Sequence, residues 1–296
     1  MKIPSLTSSV RILLATCAMV AATAAPGAAQ HRPLVVAHRG GALLMPENTL
    51  PAFDNAVRLD VDMLEFDMVM TVDDQLVIQH DPTVNATFCS APSDSGLAPG
   101  PIRAMKLADV LKFDCGSRHR AIYPTQKAVP GTKMPTLDAF LARYKNTKPL
   151  FFGETKMPGP QDGDVDPTAF ARLVDTAVRK YRLEDRFILQ SFDWRTIDAM
   201  HAINPRIQTC LLGVWREKTD YLELARQHHA MCMLLRLQDA DAAEVGRLRA
   251  AGVKVFSDVD DTAAGWRAYL ARGDDALFTN DPLGLIAFLK QEQTAH

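Results

Sequence analysis

The sequence predicts an α/β protein, a closed (β/α)8 TIM barrel with an insertion after the second strand. Short apolar segments typical of buried strands alternate with segments of helical periodicity along most of the chain. Eight such units fit into 296 residues, and strict alternation implies a parallel sheet. The sequence contains no glycine-rich dinucleotide motif and no Walker loop, which disfavours an open nucleotide-binding sheet.

The first two units carry most of the ionisable residues. Residues 34–38 are too few and too rich in β-branched side chains for a helix, so they predict a buried strand that ends at His38. Thr49 is suited to cap a helix over residues 49–59. Residues 63–70 predict the second strand, where alternation places Glu65 and Asp67 on one face and apolar side chains on the other.

The remaining six units follow in order. Helix 167–181 shows the starting signals most clearly, with Asp166 as its cap and Pro167 at its first position. The strands are predicted at residues 150–154, 187–191, 207–212, 232–235, 253–256 and 276–279. The helix of the second unit is predicted at residues 136–144, and the helices of the remaining six units are predicted at residues 167–181, 194–203, 220–227, 240–250, 262–271 and 283–290.

An insertion over residues 82–133 separates the second strand from its helix, and residues 106–113 within it predict a short helix. The insertion follows His80 closely, so we expect it to cap the mouth of the barrel.

Four cysteines beyond residue 30 allow three pairings. Cys89 and Cys115 bracket the insertion and match each other best. Cys210 and Cys232 lie on successive strands, as a second pair or as buried thiols.

The first 29 residues differ from the rest. Basic residues precede a short apolar run, and small residues close the segment, which predicts a signal peptide over residues 1–29 and a barrel domain over residues 30–296. The run is too short for a stable membrane anchor. We therefore expect an exported protein, periplasmic or secreted. With 33 basic and 35 acidic residues, the chain is not suited to general nucleic-acid binding.

Glu65 and Asp67 predict a cation site. Two carboxylates on one inward face repel each other and are poorly solvated unless a cation lies between them. The alternative is an exposed edge strand with a solvated acidic face, which the apolar opposite face disfavours.

The motifs together resemble the glycerophosphodiester phosphodiesterase family over nearly the whole chain after Arg32. The resemblance is carried by His38-Arg39-Gly40, Pro46-Glu47-Asn48-Thr49, Glu65-Phe66-Asp67, His80-Asp81, Glu154-Thr155-Lys156, Ser191-Phe192 and Thr279-Asn280-Asp281-Pro282. It implies that Glu65, Asp67 and Glu154 bind a metal and that His38 and His80 are catalytic. The chain departs from the family at the seventh strand, where Phe256-Ser257-Asp258 replaces a tryptophan-containing run.

Three carboxylates without a histidine–cysteine cluster favour calcium or magnesium over zinc. Together with one divalent cation, Arg39 and Lys156, they sum to one positive charge, which suits a monoanionic phosphodiester. Arg39 can grip phosphate oxygens bidentately. Glu154 and Lys156 share a face, so a simple ion pair between them is the alternative to metal binding.

His38 and His80 are the acid–base candidates. Cleavage removes a proton from the attacking hydroxyl and delivers one to the leaving alkoxide, and histidine can do either near neutral pH. The sequence does not assign the two roles, and a packed structural histidine is the alternative at each position. Glu47 is expected to assist substrate binding by orienting Arg39 or a metal-bound water.

The leading hypothesis is metal-dependent hydrolysis of glycerophosphodiesters to glycerol 3-phosphate and an alcohol, so the partner is a small-molecule phosphodiester. A lysophospholipase D or a phosphatidylinositol-type phospholipase C on the same barrel is the second hypothesis. A non-catalytic protein that binds a phosphate ligand is the third, and the complete set of histidines and carboxylates disfavours it. The sequence leaves the oligomeric state open.

Overall fold

The computed structural model describes Met1 and residues 32–118, 120–159 and 161–294. Beyond Met1, the predicted signal peptide lies outside these residues. Among the described residues, no helix has both the length and the apolar character needed to cross a bilayer.

Eight parallel strands close into a barrel, which confirms the predicted fold class. The ring runs β1-β2-β4-β5-β6-β7-β8-β9, and the pairing of β1 with both β2 and β9 closes it. The strands in chain order are β1 (Leu34–Ala37), β2 (Met63–Met70), β3 (Leu76–Ile78), β4 (Leu150–Thr155), β5 (Phe187–Ser191), β6 (Gln208–Leu211), β7 (Cys232–Leu235), β8 (Lys254–Val259) and β9 (Ala276–Thr279).

Helices alternate with the barrel strands and begin at the capping residues that the sequence indicates. Thr49 accepts a hydrogen bond from the Ala52 amide, and Asp166 accepts one from Ala169 at 2.7 Å. The helices are α1 (Leu50–Arg58), α2 (Leu107–Val110), α3 (Leu137–Tyr144), α4 (Pro167–Tyr181), α5 (Trp194–Ile203), α6 (Tyr221–Gln227), α7 (Ala242–Ala250), α8 (Ala263–Arg272) and α9 (Pro282–Thr294).

Two apolar layers hold the barrel together, because alternate side chains of each strand point inward and outward. Inside, Phe152 packs against Phe256 and Phe278 with ring centroids 5.5 Å apart. Outside, Phe53 packs against Phe140 at 4.7 Å, between α1 and α3. Burial of each ring contributes about 1.5–3 kcal/mol. Because Phe256 is 1% exposed inside the barrel, the altered seventh-strand motif does not place an aromatic wall at the mouth.

Strand β3 was not predicted and decides where His80 lies. It pairs antiparallel with β2 across a turn in which the Thr71 amide donates to the Gln75 carbonyl at 2.9 Å. The hairpin returns the chain along β2, and the Gln79 amide donates to the Asp67 carbonyl at 3.1 Å. The next residue, His80, is thereby brought back beside Asp67. A three-residue apolar run is too short for its periodicity to predict a strand, so the sequence did not indicate this hairpin.

The insertion has its own apolar cluster, which includes Phe88, Ile102 and Phe113 and packs on Val69 and Val77 of the hairpin. Its helix α2 is shorter than the predicted segment 106–113. The predicted disulfide between Cys89 and Cys115 is present. Cys210 and Cys232 are register partners on β6 and β7 and form a second disulfide. Of the two alternatives that the sequence left open, the structure therefore has the disulfide and not two buried thiols.

Candidate active site

Three buried carboxylates meet at the mouth of the barrel. Asp67 and Glu154 are register partners on β2 and β4, and Glu65 lies two residues before Asp67 on the same face. One oxygen from each of the three carboxylates lies within 4.8 Å of the other two, and none of the three residues is more than 6% exposed. The strand register therefore creates the cluster that the sequence predicted.

Hydrogen bonds fix the orientation of these carboxylates. Glu65 Oε2 accepts from the Arg39 amide at 2.7 Å, and Glu65 Oε1 accepts from Gln190 Nε2 at 2.9 Å. Asp67 Oδ2 accepts from Asn48 Nδ2 at 2.8 Å. Because each donor is held by its own element, the oxygens are positioned before any ligand binds.

Two cations balance the cluster incompletely. Lys156 Nζ lies 2.7 Å from Glu154 Oε1 and 3.3 Å from Asp67 Oδ1, and Arg39 Nε lies 3.5 Å from Asp67 Oδ2. Burial raises the pKa of Asp67, but Lys156 and Arg39 outweigh it and hold that pKa well below its usual range. Burial and the neighbouring Asp67 raise the pKa of Glu65 well above its usual range. Three carboxylates against two cations leave one negative charge in excess.

The cluster fits a hard divalent cation. All the candidate ligand atoms are carboxylate oxygens, which calcium and magnesium prefer. Burial also raises the pKa of Glu154, although the Lys156 ammonium opposes this shift. A bound cation would therefore stabilise the ionised form of both Glu65 and Glu154. Glu65, Asp67 and Glu154 would hold the ion.

Arg39 lies in a tight turn directly after β1. Its backbone is left-handed, with φ 53°, and Gly40 follows at φ 80°. A Cβ at Gly40 would lie 2.9 Å from the Ala52 Cβ, so the close approach of α1 requires glycine there. This turn aims the Arg39 amide at Glu65 and the guanidinium at Asp67.

Glu47 bridges two arginines and contacts Arg39, one of the two arrangements that the sequence left open. Glu47 is 3% exposed. Its Oε1 accepts from Arg39 Nη1 at 2.9 Å, and its Oε2 accepts from Arg120 Nη1 of the insertion at 2.7 Å. The insertion therefore contributes a side chain to the network around Arg39.

The hydrogen bonds of His38 fix its tautomer. Asn280 Nδ2 donates to Asp261 Oδ2 at 2.9 Å, because a carboxylate can only accept. The Asn280 Oδ1 therefore faces His38 Nδ1 at 2.7 Å and must accept from it. His38 Nε2 then carries the lone pair of the neutral ring. Burial, with Arg39 adding to it, lowers the pKa of His38 to about 3, so the ring is neutral at pH 7.

His80 has a carboxylate partner instead of an amide. Its Nδ1 lies 2.7 Å from Asp81 Oδ1, and Asp81 Oδ2 accepts from Asn85 Nδ2 at 2.6 Å. The hydrogen bond from His80 lowers the pKa of Asp81 to about 2. The two histidines therefore have partners of different charge, a carboxylate for His80 and a neutral amide for His38.

The structure brings the predicted residues to one end of the barrel. His80, Glu154 and Lys156 line a shared cavity of about 680 Å³, and the contacts above link the others to it. Sequence reasoning missed the orienting roles of Asn48, Gln190, Asp261, Asn280 and Arg120. Asn48 and Asn280 lie inside motifs that were recognised, so their motif membership was an available signal. Arg120 lies in the irregular insertion and had no such signal.

Comparisons with known proteins agree with this geometry. The sequence pattern of the Glycerophosphoryl diester phosphodiesterase family matches residues 38–283. The glycerophosphodiester phosphodiesterase of Bacillus subtilis (strain 168) is 30% identical over 184 residues, which cover 61% of this chain and 59% of that relative. The chain thus matches somewhat more than half of that relative's length.

Solved structures share the fold at lower identity. A phosphodiesterase from Oleispira antarctica, solved in complex with the product sn-glycerol-3-phosphate, has a TM-score of 0.72 and 21% identity, covering 87% of this chain and 97% of that one. A glycerophosphodiester phosphodiesterase from Agrobacterium tumefaciens str. C58 has a TM-score of 0.70 and 21% identity, covering 86% of this chain and 100% of that one.

Proposed function

Because this chain belongs to the glycerophosphoryl diester phosphodiesterase family, we propose that it hydrolyses glycerophosphodiesters to glycerol 3-phosphate and an alcohol. Calcium or magnesium, held by Glu65, Asp67 and Glu154, is the proposed cofactor. The observation that carries the proposal is the buried carboxylate cluster, which shares one barrel mouth with two histidines whose hydrogen-bond partners differ in charge. The product complex of the related Oleispira antarctica fold supports the choice of substrate class.

The cation and the basic side chains have one proposed target, the phosphoryl oxygens of the substrate. When bound, the cation would supply electrostatic stabilisation of the phosphoryl oxygens. Arg39 and Lys156 donate hydrogen bonds to the same oxygens, at positions fixed by Glu47, Asp67 and Glu154.

The histidines exchange the protons. His38 is neutral and presents Nε2 as an acceptor, so it takes the proton of the attacking hydroxyl. His80, whose Nδ1 is held by the Asp81 carboxylate, delivers a proton to the leaving alkoxide.

The test uses two substrates on three proteins. The unmodified protein should hydrolyse glycerophosphoethanolamine and lose this activity in chelator, with recovery on addition of calcium or magnesium. His38→Ala and His80→Ala should each lower kcat by about 10²–10⁴-fold on that substrate. Absence of turnover by the metal-loaded, folded protein would sink the enzyme proposal and leave phosphate-ligand binding.

A glycerol 4-nitrophenyl phosphodiester separates the two histidine roles, because its leaving group needs no proton. His80→Ala should recover most of the lost kcat on this substrate, whereas His38→Ala should not. Recovery by His38→Ala alone would reverse the assignment.

Lysophospholipase D activity is the competing function, and the burial of Phe256 argues against it. A long acyl chain needs an apolar groove, since each buried methylene contributes about 0.8 kcal/mol. Phe256 is buried inside the barrel, which closes the apolar path that the altered motif could have opened.

Export to the periplasm or the medium is the proposed location. Two disulfides in the described residues support an oxidising compartment. Cell fractionation, with N-terminal sequencing of the mature protein, tests it; a cytosolic protein that begins at Met1 would contradict it.

A further inference from the structure

The cavity beside His80 continues along one wall of the barrel mouth. It passes Glu154 and Lys156 and reaches residues that follow β5 and β6. Phe192 follows β5 and remains 40% exposed, and Arg216 ends the short turn Val214–Arg216 after β6. If His80 protonates the leaving group, as proposed above, this wall contacts the alcohol that leaves.

The aromatic ring on this wall is already occupied by cations. Lys156 Nζ lies 5.8 Å from the centroid of Phe192, and the Arg216 guanidinium lies 4.9 Å from it. An aromatic face attracts a cation only where the face is available. At the Phe192 ring a choline or ethanolamine head group would meet two positive charges and no vacant aromatic face. Three carboxylates that line the same cavity are already paired, Glu154 with Lys156, Asp193 with Arg195 and Asp198 with His228. Among the described residues, Glu217 is the lining carboxylate without an ion pair.

The polar groups of the wall offer both donors and acceptors. Asp193 pairs with Arg195 at 2.5 Å, and Asp198 accepts from His228 Nδ1 at 2.8 Å. Within the part of the chain that the structure describes, Arg216 pairs with no carboxylate, so its donors can serve a ligand. Hydroxyl groups donate and accept at once, and neighbouring hydroxyls therefore match such a mixed surface.

We propose that this wall is the subsite for the leaving alcohol and that it selects an uncharged, polyhydroxylated alcohol over a cationic one. The inference rests on the proposed hydrolytic function and names its substrate class. The volume of about 680 Å³ lies in the range of ligand pockets and has room for glycerol or a six-membered cyclitol. Arg216 acts as a specificity determinant that repels head groups with a positive charge.

The experiment compares kcat/KM for glycerophosphoglycerol and glycerophosphoinositol with kcat/KM for glycerophosphocholine. We expect a preference of at least about tenfold for the two polyol diesters. Equal or better use of the choline diester would overturn the subsite proposal while leaving the hydrolytic function intact. If none of these diesters and no glycerol 4-nitrophenyl diester is cleaved, the hydrolytic function itself fails.

A charge reversal links the preference to the residue. Arg216→Glu should lower the ratio of kcat/KM for each polyol diester to kcat/KM for glycerophosphocholine by about tenfold or more. The change should lie mainly in KM. Arg216→Gln removes the charge alone and should shift the ratio part of the way, which keeps the test valid if the reversal impairs folding. Arg172→Glu, on the exposed surface of α4, is the matched control and should leave the ratio unchanged. A ratio within twofold of the unmodified protein in both Arg216 variants would overturn the proposal.

Discussion

Glu47→Gln tests whether Glu47 positions Arg39, because it changes the partner of Arg39 and leaves the charge of Arg39 itself in place. The substitution keeps the shape of a 3% exposed side chain but removes the negative charge that accepts from Arg39 at 2.9 Å and from Arg120 at 2.7 Å. A hydrogen bond to a charged group is worth about 1.5–3 kcal/mol. If the bond to Arg39 is the one that matters for phosphate binding, its loss lowers kcat/KM by roughly 10–150-fold. The effect should lie mainly in KM, since the proposed role of Arg39 is to bind the phosphate both before and during the reaction.

The assay is release of 4-nitrophenol from the glycerol diester, with metal content and thermal unfolding measured on the same samples. Arg120→Met is the matched control, because it removes the second bond and leaves the Arg39–Glu47 pair in place. It should lower kcat/KM less than Glu47→Gln does. If Glu47→Gln stays folded, binds metal and keeps kcat/KM within threefold of the unmodified protein, Glu47 does not position Arg39. An equal loss in Arg120→Met would show that the arginine of the insertion is itself required.

Four further predictions concern the site and the insertion. The pKa of Glu65 is higher in the folded, cation-free protein than in the unfolded chain, so protonation of Glu65 stabilises the cation-free protein as the pH falls. The rise in Tm on adding calcium or magnesium should therefore be larger at pH 7.5 than at pH 5.5. Calorimetry that finds equal rises at the two pH values would contradict this. Glu65→Ala or Asp67→Ala should abolish both the Tm rise and turnover. Opening the Cys89–Cys115 disulfide by a double substitution to serine should lower the free energy of unfolding by roughly 3.5 kcal/mol for a sequence separation of 26, and denaturant unfolding with no change would refute it. Finally, kcat/KM should be higher for glycerophosphocholine or glycerophosphoethanolamine than for the corresponding lysolipid below its micelle concentration, and a tenfold preference for the lysolipid would favour lysophospholipase D.

The residues that the sequence placed correctly are those whose geometry depends on a single strand or turn. Glu65 with Asp67, and Glu154 with Lys156, share faces because side chains alternate with a period of two along any strand. The barrel itself follows from repeated local signals, namely short apolar runs, capping residues such as Asp166, and helical periodicity. These features need no knowledge of distant contacts.

Only the tertiary structure decided which strands meet and in what register. Asp67 lies beside Glu154, and Glu154 beside Gln190, because β2, β4 and β5 pair with one particular offset. The hairpin of β2 and β3 returns His80 to Asp67. The three apolar residues of β3 are too few to predict this hairpin from the sequence.

The partners of the candidate site residues are more distant still. Asn280 reaches His38 across 242 residues, and Arg120 reaches Glu47 across 73. An amide in a closing loop and an arginine in an irregular insertion have no periodicity that ties them to a partner. Their contacts arise when the barrel closes and the insertion packs on it, since closure and packing bring together segments whose local sequences carry no record of each other.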